Sequence, residues 1–160
     1  HTSMLVPEGR NEVTTEGGLD VKGQFARMKD IVARLKQAGC VVSAFIDAEP
    51  AQVDAAHRAG FDVCEIHTGP YAAAYLTSGG DDRHKLYVHE LTKVESAGQL
   101  IRSAGMRFNA GHALNYANVG AIARLEGVSE LHIGHAIISR AVFTGLRCAV
   151  REMKDAMSAR

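Results

Sequence analysis

Five short apolar runs, separated by segments patterned as helices, leave this chain few ways to fold. They are Leu5-Val6-Pro7-Glu8, Ala44-Phe45-Ile46-Asp47, Cys64-Glu65-Ile66-His67-Thr68-Gly69, Phe108-Asn109-Ala110-Gly111-His112 and Leu131-His132-Ile133-Gly134-His135. Each finishes in polar or small residues. Continuous apolar runs of this length bounded by turn residues read as strands buried on both faces. The segments between them carry the helical period: residues Gln24 to Ala38 place Phe25, Met28, Ile31, Val32 and Leu35 at three-and-four spacing, with Gly39 as the stop. Further helices are predicted over Glu49 to Arg58, Lys85 to Ala104, Val119 to Leu125, Gly134 to Ala141 and Gly145 to Met157, while Tyr71 to Asp82 is expected to be irregular or loosely helical. The strands are predicted over Thr2 to Val6, Cys40 to Ile46, Phe61 to Ile66, Arg107 to Ala110 and Leu131 to Ile133. Such alternation predicts a parallel sheet with right-handed crossovers covered by helices. In that class the strand ends share one face, where chemistry is expected.

Composition narrows the partners. With 160 residues, 46% of them hydrophobic, and 18 basic against 18 acidic side chains, the chain has the makings of one ordinary globular core. No Lys/Arg block or basic stripe interleaved with aromatics is present, which argues against nucleic acid. No apolar run approaches the ~20 residues that span a bilayer, and the start His1-Thr2-Ser3 is no signal peptide, so a cytoplasmic location is expected. Cys40, Cys64 and Cys148 lack CxxC spacing and read as reduced, mostly buried small hydrophobes. One domain over residues 1–160 is expected.

The strand ends hold the candidate chemistry. His112, delivered by Gly111 after a short strand, suits a general acid or base because an imidazole titrates near pH ~6.5. A surface loop histidine would have the same local sequence. On the strand Phe61 to Ile66, alternation puts Val63, Glu65 and His67 on one face, opposite Cys64 and Ile66. Glu65, a carboxylate within an apolar strand, needs either a wet cavity or a structural ion pair. If its strand neighbours that of His112, then Glu65, His67 and His112 converge. Gly134-His135 at a strand-to-helix boundary offers backbone N–H groups to an anion, and Gly111-His112-Ala113 supplies a second loop beside it. Glycine there is also common punctuation. The eight histidines show neither H-E-x-x-H nor clustered Cys/His spacing, so no metal is expected, and no G-x-S-x-G elbow marks a serine nucleophile. The thirteen-residue polar stretch from Glu8 to Asp20 is long for a strand-to-helix connection.

Taken together, Glu12-Val13-Thr14-Thr15-Glu16-Gly17-Gly18-Leu19-Asp20, Phe45-Ile46-Asp47, Glu65-Ile66-His67-Thr68-Gly69, Asn109-Ala110-Gly111-His112 and Ile133-Gly134-His135-Ala136-Ile137-Ile138 resemble the pyridoxine 5'-phosphate synthase family, in the family's order. The resemblance implies a (β/α)8 TIM barrel, of which this chain carries about the last five βα units from the fourth strand onward. It also implies a cofactor-free condensation of 1-deoxy-D-xylulose 5-phosphate with 3-amino-2-oxopropyl phosphate, and a homo-oligomer. On the same footing His112 is the proton donor and Glu65 the carboxylate that stabilises the transition state. Thr14 touches the sugar phosphate, and Ala113, Gly134 and His135 hold the aminoketone phosphate. The family's first three strands, with a general-base glutamate and another catalytic histidine, have no counterpart in these residues. This chain departs from the family with Ala113 where glycine is usual and His132 where asparagine is usual. A half-barrel acting only as a phosphate-binding or assembly module is the alternative.

Overall fold

The computed structural model describes residues 1–7 and 17–159; Thr14 and most of the polar stretch around it lie outside the described residues. The expected alternation is present. Five strands, β1 (Thr2–Leu5), β2 (Val41–Ile46), β3 (Val63–His67), β4 (Arg107–Gly111) and β5 (Val128–His132), form one parallel sheet in chain order. Among the described residues β1 and β5 are its edges. The helices are α1 (Phe25–Gln37), α2 (Pro50–Ala59), α3 (Gly69–Thr77), α4 (Lys85–Ser103), α5 (Val119–Ala123), α6 (His135–Thr144) and α7 (Leu146–Ser158). A sheet whose strands neighbour one another in sequence order winds in a single direction, as barrel sheets do.

Pleating sorts the side chains. Val42, Ala44 and Ile46 of β2, Cys64 and Ile66 of β3, and Phe108 and Ala110 of β4 join Met28, Val32, Val53, Ala56, Val94, Ala97 and Ile101 of the helices in one buried cluster. Burial of each large aliphatic here contributes roughly 1.5–3 kcal/mol. The ring of Phe108 fits because α4 carries Gly98 opposite it: a Cβ there would stand 2.4 Å from Phe108 Cε1. Phe45, Glu65, His67, Asn109 and Gly111 alternate onto the other face, and the register aligns Phe45 with Glu65 and Glu65 with Asn109. Between Phe108 and Asn109 the pairing with β5 slips: Phe108 faces Val128, whereas Asn109 faces Glu130. This bulge turns Glu130 and His132 to the same face as Glu65.

Three expectations need correction. Residues 69–77 form a regular helix, α3, where Tyr71 to Asp82 was expected to be irregular or loosely helical. Pro70 in the first turn pre-sets its backbone, and the burial of Tyr71 and Ala74 anchors it. The last strand runs from Val128 to His132, earlier than predicted, because the edge strand mixes polar and apolar residues that no continuous run reveals. Of the cysteines, Cys64 is buried, Cys40 half-buried and Cys148 exposed, so burial holds for the first alone. No helix of the described residues is long and apolar enough to cross a membrane. Helix α6 buries none of its side chains, and Ile138, Val142, Phe143 and Leu146 form an exposed apolar stripe across α6 and the start of α7.

Candidate active site

Glu65 occupies the middle of β3, where alternation aims it away from the helices, and only 4% of the residue is exposed. Its Oε2 is hydrogen-bonded to Nδ1 of His132, the last residue of β5. Nε2 of the same imidazole lies 3.3 Å from Glu130 Oε2, and Asn109 Nδ2 donates to that oxygen at 3.2 Å. Burial pushes the Glu65 carboxyl above its ordinary range, with the His132 hydrogen bond and charge acting in opposition. Partial burial of His132 works against its charge, but the Glu65 and Glu130 carboxylates prevail and raise its pKa. The carboxylate therefore has both things its sequence position demanded, an ion-pair partner and a cavity. Gly111 makes this possible: a Cβ there would lie 2.3 Å from Glu65 Oε1 and 2.9 Å from the His132 carbonyl oxygen.

His112 and Ala113 follow β4 with φ of 82° and 57°, the left-handed region that non-glycine residues avoid at a cost of roughly 1–2 kcal/mol each. Surrounding hydrogen bonds hold them there. The Thr68 hydroxyl, fully buried, lies 2.6 Å from the carbonyl oxygens of both Gly111 and His112, and the Thr68 N–H donates to Gly111 at 2.8 Å. Asn118 Nδ2 donates to the Ala113 carbonyl at 3.2 Å, while its Oδ1 accepts from the Asn115 N–H at 2.7 Å. Tyr71 of α3 donates to the Asn118 carbonyl at 2.7 Å, locking that turn to the helical layer. The His112 ring stands edge-on to His67, centroids 4.9 Å apart, with Phe45 at 6.1 Å. Burial and the neighbouring His67 lower its pKa, so it is neutral near pH 7 and a protonated His112 readily gives its proton up. His67 Nδ1 in turn lies 2.9 Å from Asp47 Oδ1, which also accepts from the Gly18 N–H at 3.0 Å. The hydrogen bond with His67 holds the Asp47 carboxyl below its ordinary range.

Glu65, His112, Ala113, Gly134 and His135 line one cavity of about 400 Å³, together with Met4, Phe45 and Leu114. Gly134 is the N-cap and His135 the first residue of α6, so the unpaired N–H groups of that first turn open beside the His112 loop. Five of the six residues to which the family resemblance gives a role thus meet, and Thr14 lies outside the described residues. His67 is on the expected face, but it lines an adjoining cavity of about 320 Å³ with Asp47, Glu90 and Lys93. Thr68, Asn118 and the pairing of His132 with Glu65 escaped sequence reasoning. The Asn115-x-x-Asn118 spacing just after the His112 loop was the one available signal for a side-chain-stapled turn. Among the described residues no three His, Cys, Asp or Glu side chains come together to hold a metal ion.

The fold and site define an α/β protein with acid–base groups and a helix N-terminus gathered at the carboxyl ends of parallel strands. Residues 1–159 match the family of the pyridoxal phosphate biosynthesis protein PdxJ, and the chain belongs to that family. It is 66% identical to pyridoxine 5'-phosphate synthase of Aromatoleum aromaticum and 63% identical to that of Dechloromonas aromatica, in each case over 97% of this chain and 62% of the relative. The synthase of Rhodopirellula baltica is 49% identical over 95% of this chain and 58% of its own length. The chain therefore spans about three fifths of the curated relatives it matches. Among solved structures, D-threo-3-hydroxyaspartate dehydratase from Delftia sp. HT23 aligns over 67% of this chain and 32% of its own at 18% identity, with a TM-score of 0.38, too slight a likeness to bear on fold or function.

Proposed function

We propose that these residues are the part of a pyridoxine 5'-phosphate synthase running from the fourth strand of a (β/α)8 barrel onward. The reaction joins 1-deoxy-D-xylulose 5-phosphate to 3-amino-2-oxopropyl phosphate, yielding pyridoxine 5'-phosphate, inorganic phosphate and water, as a ring-closing transferase. One observation carries the reading beyond family membership: Glu65, His112, Ala113, Gly134 and His135 converge on a single cavity. Imine formation, dehydration, phosphate loss and ring closure all move protons at carbon, oxygen or nitrogen, which is work for an imidazole and a carboxylate. His112, neutral at rest and a ready donor once protonated, supplies the proton. Glu65 stabilises positive charge developing on the nitrogen of the condensing pair. The Ala113 N–H and the first turn of α6 hold the aminoketone phosphate, where backbone N–H groups and the helix dipole favour an anion. Thr14, three residues before Gly17 in the sequence, is assigned to the sugar phosphate.

The free thiols of Cys40, Cys64 and Cys148 suit a reducing, cytosolic setting. The apolar stripe on α6 and α7 supports packing against further protein, in a homo-oligomer or against more of a longer chain. The test uses the full-length protein encoded with this segment, supplied with both phosphorylated substrates and assayed for pyridoxine 5'-phosphate. Product is expected, and His112→Ala should lower kcat by about 10²–10⁴-fold, the usual share of a general acid or base. Absence of product from folded full-length protein would reject the assignment.

A further inference from the structure

The imidazole of His132 is flanked by carboxylates at both ring nitrogens: Glu65 of β3 is bonded at Nδ1 and Glu130 of β5 lies 3.3 Å from Nε2. A neutral imidazole has one N–H and one lone pair, so it would turn that lone pair toward one carboxylate oxygen. Only the imidazolium donates on both sides. We propose that His132 is a positioning residue that, as an imidazolium, bridges Glu65 and Glu130, keeps the buried Glu65 carboxylate ionised and fixes its direction in the cavity. This rests on the assignment of Glu65 to the condensation.

Among the described residues the cavity offers Glu65 no Lys or Arg as a cation. The ionisable groups of the described residues that face His132 are Glu65 from β3 and Glu130 from β5. His112 and His135 line the same cavity from the loop after β4 and from α6. Asn109 of β4 adds a neutral donor to Glu130, which fixes the outer end of the bridge. A carboxylate that is 4% exposed takes up a proton unless a positive partner stands beside it. The His132 side chain is itself 40% exposed, so its proton exchanges with solvent although the carboxylate it faces is buried. The direction of the His132 pKa, raised by its two carboxylates over the opposing effect of burial, agrees. Once His132 loses its proton, one of the two hydrogen bonds fails and Glu65 loses its counter-charge. Turnover should then fall on the alkaline side.

Two measurements on the full-length protein decide the matter. In the unsubstituted protein with isotope-labelled histidine, NMR should show both His132 ring nitrogens protonated at neutral pH, with titration above the ordinary ~6.5. In Glu65→Gln that midpoint should drop by about one unit or more, since the nearer charge is gone. The profile of kcat/KM against pH should have an alkaline limb that disappears or moves upward by about one unit in His132→Asn and His132→Gln, whose amides donate but do not titrate. A neutral His132 in the unsubstituted protein at pH 7, or a limb unmoved in both variants, overturns the proposal. If no pyridoxine 5'-phosphate is made at all, the synthase assignment fails, and the histidine titration by itself still decides whether His132 is the cation that Glu65 relies on.

Discussion

At the scale of single residues, the site depends on an atom that is missing. Gly111 leaves empty the space in which Glu65 Oε1 rests, because a Cβ would approach it to 2.3 Å. Glu65 is held at its other oxygen by His132, a bond it would have to strain or give up in moving away. Gly111→Ala should therefore displace the carboxylate as well as destabilise the fold by about 1–3 kcal/mol, the usual cost of overpacking. Urea denaturation and kcat measured on the same variant check this. A stable variant with undiminished kcat would mean that Glu65 has freedom the packing denies it. The steric demand was not visible in sequence, where Gly111 reads as a hinge before His112, since nothing local announces a carboxylate arriving from the neighbouring strand.

Between elements, Thr68 is the clasp. It sits where β3 passes into α3, and its buried hydroxyl reaches the backbone of the loop after β4, joining segments more than forty residues apart. Thr68→Val keeps the shape and removes the donor, so it should cost about 1–2 kcal/mol. It should also let His112 relax from its positive φ and lower kcat more than KM rises. Steady-state kinetics with thermal unfolding would show it; a kcat unchanged alongside lowered stability would mean that His112 is held by other contacts. The strands and most helices were legible because apolar runs and helical spacing record burial directly. Helix α3 was not, since its small and apolar residues lack a polar face to set the period, and β5 was blurred by the mixed pattern of an edge strand. In the site, Glu65 and His112 declared themselves as polar residues ending or interrupting apolar runs. The groups that hold them, Thr68 and Asn118, are ordinary-looking polar residues whose partners lie across the sheet or turn, and only tertiary structure pairs them.

For the molecule as a whole, two histidines give stability opposite slopes on either side of neutrality. His112 has its pKa lowered by burial and by His67, so the unfolded chain binds its proton first. Its contribution is complete above the unfolded value of ~6.5 and is lost as pH falls toward the folded value. The pKa of His132 is raised by Glu65 and Glu130 over the opposing effect of burial, so its contribution is complete below ~6.5 and is lost as pH rises through the folded value. Stability should peak near neutrality, and His112→Gln should flatten the acid side of the curve while leaving the alkaline side in place. Denaturant titrations across about pH 5 to 8.5 test the signs; an acid slope untouched by the substitution would show that other groups set it.

The slip in pairing beside Phe108 makes the register of β5 matter as much as its composition. Two residues of β5, Ser129 and Glu130, occupy the space opposite a single step of β4, from Phe108 to Asn109. If the same residues paired without that slip, the strand would be out of phase. Glu130 would come opposite Ala110 and turn into the helix-packed layer, Leu131 would come opposite Gly111 and enter the cavity, and the imidazole would leave Glu65. The edge strand thus carries its meaning as a reading frame: many side chains along it are exchangeable, but a shift of one residue in its register beyond Phe108 would exchange the inside of the site for the outside.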